Sequence, residues 1–201
     1  IFDPSFVMYK HLVSFSGGTP IMVDTYPDFR IDLKRVQNAL SDRTKCIITN
    51  SPANPTGAVT SAEETQGLAK LAQDAGIALI SDEVYRWFCY DQPCSSPAQW
   101  NEESIVIDGF SKSWGMTGWR LGYGVFPDEL VPHISRLMVN SVSCTAAFVQ
   151  KAGIAAIDGS KEEPRTMVSE FLRRRDWTCD ALNKIDGIRC FKPPGAFYLF
   201  P

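Results

Sequence analysis

The chain has 201 residues, 44% of them apolar and 21% charged, with a net charge of −3. That balance suits a globular core of ordinary size, and it lacks the basic footprint of a nucleic-acid binder or of a protein drawn to an anionic membrane surface. No apolar run nears the roughly 20 residues needed to cross a bilayer, and six cysteines with no C-x-x-C pair, beside His11 and His133 as the only histidines, argue against a metal site.

The start, Ile1-Phe2-Asp3-Pro4, is neither an initiator methionine nor a signal peptide, so both it and the end at Phe200-Pro201 are expected to lie inside a longer protein. Pro20 to Asp24 reads as a strand, and Asp32 caps a helix running to about Leu40. Lys45 to Thr49 reads as a buried strand in which Cys46 serves as a small hydrophobe. Thiols scattered in this way favour a reducing, cytoplasmic setting. Ser61-Ala62-Glu63-Glu64 resembles a capping box opening a helix to about Ala75, and Gly76 ends that helix. Strands are then expected at Ile77–Ser81, Ser104–Asp108 and Leu121–Phe126, with a polar loop after Asp108. The alternation predicts an α/β fold: a three-layer, doubly wound, mostly parallel sheet with helices on both faces. After Pro127 come helical patterns at Asp128–Val139, Cys144–Ile157 and about Lys161–Lys184, the last with Arg173, Arg174 and Arg175 on a solvated face. Strands beginning at Gly187 and spanning Gly195–Phe200 would open a small α+β domain.

In open α/β sheets, ligands bind beyond the carboxyl ends of the strands. Three polar clusters fall there: Asn50 to Gly57, Asp82 to Tyr85, and Ser111-Lys112. They can deliver an amine, a carboxylate, hydroxyls and an amide to one crevice. Each residue alone also has a plainer reading. Lys112 could be a surface lysine, Asp82 a helix cap, Asn54 a turn residue before proline, Tyr85 or Phe6 a core aromatic, and Arg120 half of a surface ion pair.

The motifs NPTG at Asn54–Gly57, DEVY at Asp82–Tyr85, SKSWGMTGWRLGY at Ser111–Tyr123 and PPGAFY at Pro193–Tyr198 resemble, in that order, those of fold-type I pyridoxal-5′-phosphate (PLP) enzymes. More narrowly, they resemble the class I aminotransferases of the aspartate aminotransferase family. The resemblance implies a PLP-binding large domain over residues 1–160, without its N-terminal part. Residues 161–201 would then be the interdomain helix and the beginning of a small C-terminal domain. It also implies transfer of an amino group from an L-amino acid (aspartate, aromatic, alanine or similar) to a 2-oxo acid, by a homodimer.

Residue by residue, Lys112 matches the Schiff-base lysine and proton shuttle, and Asp82 the partner of the PLP ring nitrogen. Asn54 and Tyr85 match donors to its phenolic oxygen, and Arg120 and Ser111 match phosphate ligands. Gly109 stands where some relatives have serine. Phe6 matches the aromatic that stacks on the ring, where many relatives have tryptophan. Cis bonds before Pro4 and Pro55 are implied as well. The family's substrate-carboxylate arginine, its early phosphate loop and the partner-subunit tyrosine fall outside these residues, so the 201 residues alone are not expected to turn over substrate. The same cofactor shell also serves a PLP-dependent β-lyase or another fold-type I enzyme, and an aminotransferase-like effector domain of a transcription regulator.

Overall fold

A computed structural model describes all residues, 1–201. Its centre is a four-stranded sheet in the order β3 (Cys46–Asn50), β4 (Ala78–Asp82), β5 (Ile105–Gly109), β6 (Gly122–Val125), which follow β1 (Phe2–Asp3) and β2 (Val23–Asp24) in the chain. The pairs β3–β4 and β4–β5 are parallel, and β6 runs antiparallel to β5. The mixed α/β class with a mostly parallel sheet is therefore as expected.

Helix α1 (Met8–Phe15) lies between β1 and β2, and α2 (Leu33–Ala39) follows, capped by Asp32, whose carboxylate accepts from the amides of Lys34 and Arg35. Helix α3 (Ala62–Ala75) crosses over between β3 and β4. Its capping box is complete: the Ser61 amide donates to Glu64 at 2.7 Å and the Glu64 amide to Ser61 at 3.2 Å. Gly76 ends it with a φ of 62°, where a residue bearing a Cβ would be strained. Leu68, Ala69 and Ala72 share one helix face and bury it against Ile47, Leu79 and Val36. Leu79 is fully buried, and removing such a side chain from water is worth roughly 1.5–3 kcal/mol.

A second core lies at the carboxyl end of β4. Tyr85, Phe88 and Ala196 are buried there with Phe171, Phe197 and Tyr198 packed around them. Phe171 belongs to the long helix α7 (Glu162–Leu182), which follows α4 (Phe110–Ser113), α5 (Val131–Ser141) and α6 (Ala147–Asp158). No helix is long and apolar enough to cross a membrane.

Four sequence expectations need correction. The strand proposed for Pro20–Asp24 shrinks to Val23–Asp24, because its partner β1 offers only Phe2 and Asp3 for pairing. The loop after β5 contains a one-turn helix, α4, which carries Ser111 and Lys112.

The segments from Gly187 and from Gly195 to Phe200 form no strands. Gly195 makes a lone bridge to Cys89, and its N–H donates to Gly57 O. Ala196, at φ 54°, turns the chain out of extended geometry. Finally, the arginine run does not all face solvent. Arg173 and Arg174 pair with Glu170 in the open, whereas Arg175 is 8% exposed. Its guanidinium donates to Pro193 O at 3.0 Å, pairs with Asp176, and lies 4.8 Å from the centre of the Tyr90 ring.

The peptides before Pro4 and Pro55 are cis, as are those before Pro27 and Pro52.

Gly57 tests how tightly the NPTG loop is held. Its φ is +71°, and a Cβ there would stand 2.5 Å from Pro193 Cβ and 2.7 Å from Gly195 O. Gly57→Ala is expected to cost about 2–3 kcal/mol, read as a lower denaturant midpoint. A midpoint within error of the parent would mean that the loop and the 193–195 segment are not packed as described.

Candidate active site

The parallel register brings the strand ends level. Asn50 at the end of β3 pairs with Asp82 at the end of β4, and Asp82 pairs with Ile107, two residues before β5 ends at Gly109. The three polar clusters therefore leave the sheet along one edge.

Asp82 is held from two sides. Oδ1 accepts from the amide of Val84 at 3.2 Å, and Oδ2 accepts from the Tyr9 hydroxyl at 2.5 Å. The Asn50 amide donates to Asp82 O at 2.9 Å, while Asn50 Oδ1 accepts from the backbone N–H of Asn54 at 2.8 Å. Asn54 is thus tied to the strand that carries Asp82.

Tyr85 sits in the turn after β4, 4% exposed, with its hydroxyl 2.5 Å from that of Tyr198. The Lys112 ammonium lies 5.9 Å from the centres of both the Tyr85 and the Phe197 rings. Lys112, Tyr85 and the end of β4 therefore border one space. Phe6 is 38% exposed, with its ring edge-on to Tyr9 at 5.5 Å, so it reaches the cluster through Tyr9.

Ser111 lies on α4 beside Lys112, and Arg120 lies just before β6. Gly109 and Gly122 are register partners, and the Phe110 N–H donates to Leu121 O, which folds the 117–121 segment back over α4. The Thr117 hydroxyl donates to Ser111 O at 2.9 Å, and Arg120 Nη1 donates to Thr117 O at 2.8 Å. Arg120 adopts a left-handed φ of 53°, costly for a residue with a Cβ, and its guanidinium is exposed with a carbonyl rather than a carboxylate as partner.

Electrostatics differ on the two faces of the sheet. Burial, then the nearby Asp82 carboxylate, pushes the Tyr9 phenol well above its ordinary range. Burial does the same for Tyr85. Both phenols stay protonated and can donate. On the opposite face, reached by the alternation of side chains along β4, Glu83 is 1% exposed and Asp108 4% exposed. Glu83 accepts from the Ser81 hydroxyl at 3.1 Å, and Arg86 approaches only to 3.9 Å. Asp108 accepts from its neighbour Gly109 N and from the Tyr123 hydroxyl at 2.9 Å. Burial raises both carboxyls above the usual carboxylate range.

The sequence profile of the family described as aminotransferase class I and II matches residues 1–201. This chain belongs to that family. It is 40% identical over 99% of its length to a probable aspartate aminotransferase of Methanocaldococcus jannaschii, covering 54% of that protein. Its fold superposes on the aspartate aminotransferase of Thermus thermophilus with maleate at a TM-score of 0.93, with 34% identity, 98% of this chain and 53% of the other covered. An aromatic aminotransferase of Pyrococcus horikoshii gives 0.95 at 34% identity, with 100% of this chain and 56% of the other covered. The chain spans about half the length of the relatives it matches. Family membership and the PLP-dependent transferase fold thus agree with the motif resemblance.

Sequence reasoning overlooked Tyr9 and Tyr198. Tyr9 stands in the first turn of α1, three positions after Phe6, whose carbonyl accepts from the Tyr9 N–H at 3.1 Å. Tyr198 closes the GAFY motif, whose resemblance had pointed to a domain boundary rather than to the site.

The buried pair on the far face yields a pH prediction with a definite sign. A carboxyl whose folded pKa is raised binds its proton more tightly folded than unfolded. Its stabilising contribution is therefore present below the ordinary carboxylate pKa and is lost as pH rises through the raised folded value. Asp108→Asn keeps the shape and both partners but does not titrate. The fall in denaturant midpoint between about pH 4 and pH 7 is expected to be shallower in Asp108→Asn than in the parent. Identical slopes would show that Asp108 is not desolvated.

Proposed function

We propose that this protein is an aminotransferase that uses PLP held covalently by Lys112, and that it moves an amino group between an amino acid and a 2-oxo acid. The observation that carries the reading is the meeting of Lys112, Tyr85 and Asp82 at one edge of a parallel sheet. The side chains there match PLP in chemical kind. An amine lies over aromatic rings with no carboxylate beside it, for the aldehyde. A carboxylate held by Tyr9 would suit the ring nitrogen, hydroxyl and amide donors the phenolic oxygen, and a guanidinium free of acidic partners the phosphate. When bound, PLP would supply an electron-poor ring able to stabilise negative charge at the substrate α-carbon.

Lys112 would hold the group at its aldehyde through Nζ, and as a free amine it would take and return the substrate α-proton. Asp82 keeps the proton on the ring nitrogen, and Tyr9 holds Asp82 in place by donating to Oδ2. Tyr85 and Asn54 donate to the phenolic oxygen. Arg120 would hold the phosphate with its planar fork, Ser111 would add a hydroxyl, and Phe6 would pack against the ring. The left-handed backbone at Arg120 is strain of the kind that persists where a side chain must be aimed.

The reading extends to residues 1–160 as the large domain, with α7 leading to a smaller one. A homodimer is supported by α1 and α5, neither of which buries a residue, and by exposed Phe15, Leu137 and Val139. A cytoplasmic setting is supported by six cysteines all free. Neither a nucleic-acid nor a membrane partner is proposed.

Borohydride treatment of the PLP-loaded protein is expected to fix the label on Lys112, as read by peptide mass mapping. Lys112→Ala should lose the label while keeping part of its PLP affinity. Asp82→Ala should weaken PLP retention on the order of a hundredfold. Label on a different lysine would overturn the assignment.

A further inference from the structure

We propose that Tyr198 is a positioning residue: its hydroxyl donates to that of Tyr85 and thereby sets how strongly Tyr85 donates to the phenolic oxygen of the cofactor. The inference rests on the PLP reading above and goes beyond it by assigning a role to a residue 113 positions further along the chain.

The two hydroxyl oxygens are 2.5 Å apart, and the rings meet edge-on at 5.5 Å. A phenol has one proton to give and lone pairs to receive. If the Tyr85 proton goes to the cofactor, only a lone pair is left for Tyr198, so the order must run Tyr198 to Tyr85 to cofactor oxygen. A hydroxyl that accepts a bond becomes a better donor, by about 10–30% per link. Tyr198 thus strengthens the bond that Tyr85 makes next.

The segment that carries Tyr198 is anchored well enough to hold this geometry. The Gly195 N–H donates to Gly57 O at 2.9 Å and the Ala196 N–H to Phe88 O at 2.9 Å. The Tyr90 N–H donates to Pro194 O, and the Tyr90 hydroxyl to Ala196 O at 2.6 Å. At Ala196 the left-handed backbone reverses the chain, so that Phe197 and Tyr198 both pack on Tyr85, at 5.2 and 5.5 Å between ring centres. The bond to Gly57 also fixes the loop that bears Asn54. One segment therefore governs both donors to the phenolic oxygen.

The test is a pH titration of the visible absorption band of the PLP-loaded protein, which follows the proton on the Lys112 nitrogen. A weaker donor to the phenolic oxygen leaves that oxygen more basic, so the neighbouring nitrogen keeps its proton to higher pH. Tyr198→Phe is expected to raise the midpoint by about half a pH unit, and Tyr85→Phe to raise it further. The double variant should match Tyr85→Phe alone, since Tyr198 acts through Tyr85. Site-specific replacement of Tyr198 by 3-fluorotyrosine, a more acidic donor of nearly the same shape, should shift the midpoint the opposite way. A purely structural role would not reverse sign. An unchanged midpoint in Tyr198→Phe, or a shift that adds fully to that of Tyr85→Phe, overturns the proposal and leaves the PLP reading standing. A parent protein whose band does not titrate overturns the proposal, and one that shows no visible band after PLP loading overturns the PLP reading itself.

Discussion

The parallel pairing of β3, β4 and β5 is the constraint on which the site depends. Backbone hydrogen bonds between these strands set a register in which Asn50, Asp82 and Ile107 stand side by side. A slip by one residue would turn every side chain of a strand to the other face. Asp82 would then point where Glu83 now lies, and Leu79 would leave the core. Hydrophobic burial of Ile47 and Leu79 under α3 therefore fixes the place of a carboxylate several residues away. Stability and chemistry are joined here by the alternation of one strand.

The polar groups so delivered are costly, and they are supported unequally. Asp82 has a phenol and an amide as donors and lies at an open edge. Glu83 and Asp108 lie on the closed face, Glu83 accepting from the Ser81 hydroxyl and Asp108 from a phenol and an amide, and burial raises the proton affinity of both. The same strand end thus carries one carboxylate at an open edge and another that is buried. Exposure to a ligand-sized space separates the two roles, since both residues come from adjacent positions of one motif.

Much of this was legible in the residues because it depends on local rules. Asp32 and Ser61 announce helix starts through side chains that cap their own backbone, and Gly76 announces an end through its left-handed φ. The strand-end placement of Asp82 and of the residues flanking Lys112 follows from five-residue strands that open on three apolar residues and run into polar clusters. What escaped depends on distant partners. The arginine triplet looked uniform, yet Arg175 turns inward because Pro193 O and the Tyr90 ring await it. Gly195–Phe200 has a strand-like composition, but its amides are claimed by Gly57 and Phe88. Tyr9 and Tyr198 acquire meaning only when tertiary folding sets their hydroxyls against Asp82 and Tyr85. No periodicity encodes such a meeting.

The inward arginine also gives α7 a mechanical part. The helix has 21 residues, hence a length of about 30 Å, and Arg175 clasps Pro193 O from its flank. Five residues beyond that clasp stands the Tyr198 hydroxyl. Phe171, one turn earlier on the same helix, stacks on Phe197 at 5.1 Å between ring centres. The helix thus braces, at two points, the segment that sets Tyr198 against Tyr85.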